Sequence, residues 1–139
     1  MKNLLKSTLC VILCLAFSIC LIACNDVEKT GIWKNATYLS DTELGDGAKQ
    51  IKVVISGEDQ SITLTVNTDK DNLGDALYEQ KLIDNASYFV TINGMTADWD
   101  ANEAWWKFCD SKGNALSYGV SDAKINGGET YKIVYTIGF

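Results

Sequence analysis

Residues 51–67 read IKVVISGEDQSITLTVN and contain two adjacent strand patterns. Residues 51–56 are rich in valine and isoleucine, and along residues 61–67 Ile62, Leu64 and Val66 alternate with polar residues. This alternation is typical of a strand with one buried face, because successive side chains of a strand point to opposite sides. The residues between the two patterns, GEDQ at 57–60, favour a turn. The sequence therefore predicts an antiparallel hairpin.

A helical pattern follows the hairpin. Leu73, Ala76 and Leu77 are spaced at i, i+3 and i+4, which places them on one face of a helix. Asn72 precedes them as a candidate N-cap, and Asp75 lies beside the free amides of the first turn. The turn-prone pair at 84–85 predicts that the helix ends near residues 82–84.

Strand patterns return after the helix. We predict strands at 88–93, 105–109, 116–120 and 131–137, separated by turns at 93–94, 110–114 and 126–128. One helix packed across one mixed sheet is the simplest way to bury the apolar faces of these elements. The predicted fold class is therefore α+β, a β-grasp-like mixed sheet packed on a single helix, with a domain over residues 49–139.

The N-terminal residues have the layout of an export signal. Lys2 and Lys6 precede an apolar run over residues 9–23, and Leu21-Ile22-Ala23-Cys24 fits the lipobox of bacterial lipoproteins. We expect residues 1–23 to be a lipoprotein signal peptide and Cys24 to be the lipidated N-terminus of the mature protein. The alternative is a plain signal anchor in which the cysteine occurs by chance. Since two acyl chains anchor a protein stably, the first interpretation predicts a membrane-anchored, extracytoplasmic protein.

Residues 24–48 are polar and rich in turn formers, which is typical of a tether between an anchor and a domain. The pair Ile32-Trp33 and residues 36–39 are apolar enough that the segment could instead pack on the domain. Both interpretations are open at this stage.

Charge and composition exclude several function classes. The chain has 12 basic and 18 acidic residues, and without Lys2 and Lys6 the remaining 10 and 18 give a net charge of −8. Such an acidic surface argues against nucleic acid as a partner, because binding depends on neutralising phosphates. The chain has no histidine, which excludes Ser-His-Asp and Cys-His catalysis and imidazole metal ligation. We expect the protein not to be an enzyme and to have no catalytic residue, no required cofactor and no metal site. We expect Cys109 to be a buried or half-buried thiol.

The segment DWDANE at 98–103 begins like a calcium loop. Glu103 stands where that loop has its glycine, and Cys109 where it has its glutamate. A solvated loop is the simpler expectation.

Several short segments occur here in an order similar to that of the bacterial family of transcobalamin C-terminal-like domains. The resemblance spans residues 32–139 and is carried by Leu73-Gly74-Asp75-Ala76-Leu77, Ala97-Asp98-Trp99-Asp100, Ala104-Trp105-Trp106-Lys107-Phe108, Ser117-Tyr118-Gly119-Val120 and Gly128-Glu129-Thr130-Tyr131. In the vitamin carriers that share this domain, it closes over one side of cobalamin.

The resemblance implies a set of ligand-facing residues. The carriers contact the corrinoid through the hairpin that matches Leu116, Ser117 and Tyr118, and we add Trp106 to this set. Trp106 and Phe108 share one strand face, however, and one face must fill the core, so both are also candidates for a structural role. Trp99 and Trp105 are the expected exposed aromatics, and an exposed aromatic patch would mark a binding surface.

Two functions follow from these observations. The first is an extracytoplasmic lipoprotein that binds a ligand, a corrinoid of the cobalamin type, and hands it to components of a vitamin importer. The second is a surface protein-interaction module that contacts another polypeptide by its sheet edge or aromatic patch.

Overall fold

The hairpin predicted over residues 51–67 is present as strands β2 (Lys49–Gly57) and β3 (Gln60–Thr68). The strands are antiparallel, with Val53 opposite Leu64. Glu58 and Asp59 form the two-residue turn with φ angles of +51° and +62°. Positive φ at both central positions gives the turn a twist that matches the twist of the flanking strands.

The computed structural model describes residues 26–139. The predicted signal peptide at 1–23 and the predicted lipidation of Cys24 lie outside the described residues. Among the described residues, no helix combines the length and the apolar character needed to cross a membrane.

A five-stranded mixed sheet forms the centre of the described fold, in the order β1-β3-β2-β7-β6. Its other strands are β1 (Thr42–Leu44), β6 (Ala104–Cys109) and β7 (Thr130–Ile137). A separate short pair consists of β4 (Thr91–Ile92) and β5 (Met95–Thr96). The central strand β2 is parallel to its neighbour β7, and each of the two also pairs antiparallel with the strand on its other side. This is the β-grasp arrangement, and the predicted α+β class is confirmed.

One face of the sheet fills the core. Alternate residues of each long strand are buried on that face, namely Ile51, Val53, Ile55, Ile62, Leu64, Val66, Tyr131 and Ile133. Burying each of the aliphatic side chains among them contributes roughly 1.5–3 kcal/mol relative to leaving it exposed. The alternation along residues 61–67 therefore predicted the buried face correctly.

The predicted helix is α1 (Leu73–Glu79), and it buries Leu73, Ala76 and Leu77 in the same core. Its cap is as predicted, since the side chain of Asn72 accepts a 2.8 Å hydrogen bond from the backbone N–H of Asp75. The helix ends earlier than the expected 82–84. Gln80 caps it, and Lys81 then adopts a left-handed φ of +56°, which ends the helical path.

Irregular segments cover the part of the sheet that α1 cannot reach. Seven helical residues span about 10 Å, whereas five strands span about 19 Å. Apolar residues from the connecting segments complete the core cluster, namely Leu82, Ile83, Ile92, Met95, Ala97, Val120, Ala123 and Ile125.

Two strand predictions in these connecting segments were wrong. Of residues 88–93, only Thr91 and Ile92 form a strand, and residues 116–120 form none. Tyr88 is 75% exposed whereas Ile92 is buried, so the alternating residues do not share one buried face. The expectation of a single helix was also incomplete, because residues Trp99–Asn102 form a one-turn helix, α2.

The described part of the segment at 24–48 packs on the domain, the second of the two interpretations. A 3-10 helix at Gly31–Asn35 places Trp33 in the core, where its indole Nε1 donates a 3.0 Å hydrogen bond to the carbonyl oxygen of Gly57. Strand β1 then joins the sheet parallel to β3, with Thr42 opposite Leu64.

Candidate functional site

Strand β6 lies at one edge of the sheet and carries two of the candidate tryptophans. It pairs with β7 so that Trp106 lies opposite Tyr135, and Phe108 opposite the core residue Ile133. Because directly opposite residues share a face, Trp106 and Phe108 are on the core side. Trp105 lies on the outer side of the sheet.

Trp106 has a structural role and also lines a cavity. It is buried, its Nε1 donates a 2.9 Å hydrogen bond to the carbonyl oxygen of Val90, and its ring packs edge-to-face on Tyr135 at 5.3 Å. The hydrogen bond ties the edge strand to the segment that precedes β4. The structural interpretation of Trp106 is therefore correct, but one part of the residue still faces a cavity.

A cavity of about 270 Å³ opens beside the edge of β6. Five aromatic residues line it, namely Tyr88, Phe89, Trp99, Trp105 and Trp106, together with the small apolar residues Val90, Ala97 and Ala104. We call this the aromatic cavity.

Two hydrogen-bonded segments position its outer tryptophans. Asp98 caps α2, since its Oδ1 accepts a 3.0 Å hydrogen bond from the N–H of Ala101, and Trp99 follows with 43% of its surface exposed. Trp105 is half-buried and donates a 2.8 Å hydrogen bond from Nε1 to the carbonyl oxygen of Gly138. Residues 98–103 thus form a capped helical turn.

A second concave surface, of about 360 Å³, lies at the other end of β6. Its wall consists of Asp110, Ser111, Leu116 and Tyr118 from one side, and of Gly128, Glu129, Thr130 and Tyr131 from the other. We call it the hairpin depression. Phe108 lies beneath it, with ring centroids 6.2 Å from Tyr118 and 5.4 Å from Tyr131.

Asp110 shapes the first side of the hairpin depression. Its Oδ1 accepts hydrogen bonds of 2.9 Å from the backbone N–H groups of Lys112 and Asn114, and its Oδ2 accepts one of 3.0 Å from the Asn114 side chain. The Asn114 side chain and these backbone amides lower the pKa of Asp110. The turn returns the chain to β6, where the N–H of Leu116 donates to the carbonyl oxygen of Phe108 at 2.9 Å.

The second side combines a carboxylate with a neutral phenol. Burial would raise the pKa of Glu129, but the N–H groups of Asn126 (2.7 Å) and Gly127 (2.9 Å) donate to its carboxylate, and the net effect is a lowered pKa. Burial, with the neighbouring Glu129 and Tyr118, raises the pKa of Tyr131. At neutral pH the depression therefore presents an ionised carboxylate beside a phenol that keeps its proton.

The six predicted ligand-facing residues separate into two groups. Trp99, Trp105 and Trp106 line the aromatic cavity, whereas Leu116 and Tyr118 line the hairpin depression. Ser117 is exposed between Leu116 and Tyr118 and is not among the lining residues of either surface.

Sequence reasoning missed Tyr88 and Phe89 in the aromatic cavity and Glu129 and Tyr131 in the hairpin depression. The first pair was assigned to a strand. The second pair was placed at a strand start, and only the pairing of β6 with β7 brings it beside Tyr118.

Within residues 26–139, no three carboxylate or thiol side chains are grouped so that they could hold a metal ion. Cys109 is buried, with its Sγ 3.9 Å from the carbonyl oxygen of Lys107. The described residues thus present two concave aromatic surfaces as candidate sites.

The arrangement of the described residues is that of an α+β domain with a mixed β-grasp sheet. No protein-family model matches the chain, and no curated protein matches it. Several solved structures are similar to it. One is a protein of Ruminococcus gnavus ATCC 29149 described as a candidate metal-binding protein, with 24% identity, a TM-score of 0.59 and coverage of 66% of this chain and 99% of that one.

A second similar structure is haptocorrin in complex with Cbi. It has 13% identity and a TM-score of 0.51, and the match covers 69% of this chain and 27% of haptocorrin. The chain thus corresponds to about a quarter of haptocorrin's length. At these identities both likenesses show a shared fold.

Proposed function

We propose that this chain is an extracytoplasmic lipoprotein that binds a corrinoid at the hairpin depression. The observation that carries the proposal is the position of Tyr118, which is 44% exposed and lies beside Glu129 and Tyr131 in an open concave surface. The fold is shared with part of haptocorrin, whose structure was solved with Cbi bound.

The chemistry of the hairpin depression suits such a ligand. A corrin is a large, flat macrocycle with amide groups around its rim, so it needs an apolar surface with hydrogen-bonding groups at the margin. Tyr118, Leu116 and the underlying Phe108 supply the apolar part. The Glu129 carboxylate supplies an acceptor at the margin, whereas the Tyr131 hydroxyl already donates a hydrogen bond to the carbonyl oxygen of Lys124 at 3.4 Å. Because the chain has no histidine, binding would not use an imidazole on cobalt.

The size of the depression sets an expectation for affinity. The depression has a volume of about 360 Å³ and is open to solvent, so a bound macrocycle would keep at least one side exposed. Since tight sites bury most of their ligand, we expect weak, reversible binding. Weak binding suits a protein that passes its ligand to an importer, and the Cys24 lipid anchor would hold it at the membrane for that step.

A titration tests the proposal. The chain from Asn25 onward is mixed with several cobamides while tryptophan fluorescence and corrin absorption are followed. We expect saturable binding that is lost in Tyr118→Ala and kept in Tyr78→Ala, a control in which an exposed tyrosine of α1 is removed. Absence of saturable binding to any cobamide at high micromolar concentration would refute the proposal.

A second candidate function is supported by the edge of β6. The N–H of Ala104 and the carbonyl oxygen of Phe108 form hydrogen bonds on the side of β6 away from β7. In an antiparallel pair the backbone groups of every second residue point to the same side, so those of Trp106 also point away from β7. Within the described residues, no hydrogen bond to the Trp106 backbone is found outside the sheet pairing. A partner polypeptide would pair with the N–H and C=O of Trp106, because the outward groups of Ala104 and Phe108 on either side are already bonded to Asp98 and Leu116.

Amide hydrogen exchange tests this edge directly. The Trp106 amide should exchange much faster than the amides of Trp105 and Lys107, which face β7. A Trp106 amide as protected as its two neighbours would show that the edge is not available.

A further inference from the structure

The aromatic cavity has a chemical character that the corrinoid proposal does not use. All eight of its lining residues are uncharged, and five are aromatic. Its volume of about 270 Å³ lies just below the range of about 300–1,000 Å³ found for drug-sized ligands, so a smaller molecule would fill it. The faces of aromatic rings carry negative potential, which attracts cations.

The charges around the aromatic cavity have the sign that favours a cation. Asp98 and Asp100 flank the lining residue Trp99, and Glu103 precedes the lining residue Ala104. Over residues 84–107 the only basic residue is Lys107, against these three acids and Asp84. An anionic ligand would be repelled there, and a cation would be attracted.

The edge of β6 adds a polar feature. Ala104, Trp105 and Trp106 are consecutive on a strand, so their side chains alternate between the two faces of the sheet. A cavity lined by all three must therefore extend around the edge of the strand. The outward backbone N–H and C=O of Trp106 are at that edge. A ligand with one hydroxyl group next to its cationic end could bond there without losing aromatic contact.

We propose that the aromatic cavity binds a soluble quaternary ammonium compound of the choline type. The trimethylammonium group lies against the tryptophan rings, where its charge interacts with the ring faces and its methyl groups are desolvated. Aromatic residues are the usual means by which proteins recognise such groups, because a quaternary ammonium ion cannot donate a hydrogen bond. The proposal is independent of the corrinoid site, which lies at the other end of β6.

The test compares choline with its neutral carbon analogue, 3,3-dimethylbutan-1-ol, which has the same shape and no charge. The full chain is purified in a maltoside detergent, because a phosphocholine detergent would carry the probe group. Binding is measured by calorimetry and by the change in tryptophan fluorescence. We expect saturable choline binding, and binding of the neutral analogue at least about fivefold weaker. Equal affinity for both compounds, or no choline binding at millimolar concentration, would overturn the proposal.

Variants locate the site. Trp99→Ala removes a partly exposed ring of the cavity and should weaken choline binding at least about fivefold, whereas Tyr78→Ala, which removes an exposed ring elsewhere, should not. Asp100→Asn should weaken choline binding without changing the neutral analogue, and it serves as the second variant if Trp99→Ala does not fold. Unchanged binding in both variants would contradict the assignment. Tyr118→Ala should leave choline binding intact, so failure of the corrinoid proposal would be seen separately.

Discussion

The indole Nε1 of Trp106 lies 2.9 Å from the carbonyl oxygen of Val90 and donates a hydrogen bond to it. The same carbonyl accepts a 2.9 Å hydrogen bond from the N–H of Ala97. One backbone oxygen thus holds together the edge strand and the two segments that frame the aromatic cavity. The arrangement of the cavity walls therefore depends on Trp106, whose side chain is mostly buried.

Trp106→Phe should destabilise the protein by about 1–2 kcal/mol, because it removes this hydrogen bond and part of a buried ring. Val90 keeps its bond from Ala97, which limits the loss. The measurement is urea unfolding. Trp105→Phe is the matched control, since it also removes an indole hydrogen bond, and it should cost less because Trp105 is only half-buried. Equal costs for the two variants would contradict this role for Trp106.

Trp33→Ala should destabilise the protein by about 3–5 kcal/mol, because the side chain is fully buried and its Nε1 bonds to Gly57. Lys34→Ala changes the neighbouring exposed residue of the same 3-10 helix and should have little effect. Urea unfolding compares the two. A loss below 1 kcal/mol for Trp33→Ala would show that residues 26–48 do not contribute to the folded core.

Asn93→Ala should cost about 2–4 kcal/mol. The Asn93 side chain is buried, accepts from the N–H of Tyr38 at 2.9 Å and donates to the carbonyl oxygen of Tyr38 at 2.9 Å. The alanine would leave both backbone groups unpaired. Asn93→Gly loses the same bonds but tolerates the φ of +54°, so it should be less destabilised than the alanine variant. A lower melting temperature for Asn93→Gly than for Asn93→Ala would contradict this explanation.

Acid should weaken the turn that shapes the hairpin depression. The pKa of Asp110 in the fold is below its ordinary value of 3.8, so the unfolded chain binds a proton more readily than the folded chain. The stabilisation is therefore present above pH 4 and is lost as the pH falls through the lowered pKa. Melting temperatures of the wild type and of Asp110→Asn should differ near neutral pH and converge in strong acid. A gap that persists unchanged to pH 2 would exclude the charge of Asp110 as its cause.

Local patterns predicted the parts of the fold that depend on neighbouring residues. The hairpin of β2 and β3 and the Asn72 cap were predicted because alternation and capping act over a few residues. Residues 88–93 and 116–120 were misassigned because only some of their apolar side chains are buried. Ile92 and Val120 fill space that a seven-residue helix leaves uncovered, whereas Tyr88, Val90 and Tyr118 are exposed. The need to cover this part of the sheet arises from the tertiary structure, and it cannot be predicted from short-range periodicity.

The candidate sites were likewise predicted only in part from the sequence. Tyr118 and the three tryptophans were identified from the sequence, but their separation into two surfaces was not. The hairpin depression forms because β6 pairs with β7, which brings Glu129 and Tyr131 beside a turn twenty residues earlier. The aromatic cavity needs Tyr88 and Phe89 to approach the edge of β6. Both arrangements are set by long-range pairing.

The central claim is that the hairpin depression binds a corrinoid, and an amide-resolved NMR titration with dicyanocobinamide tests it most directly. We predict saturable shift changes centred on residues 110–118 and 128–131, with the amides lining the aromatic cavity unaffected. An unchanged spectrum at saturating ligand, or changes confined to residues outside the depression, would contradict the account.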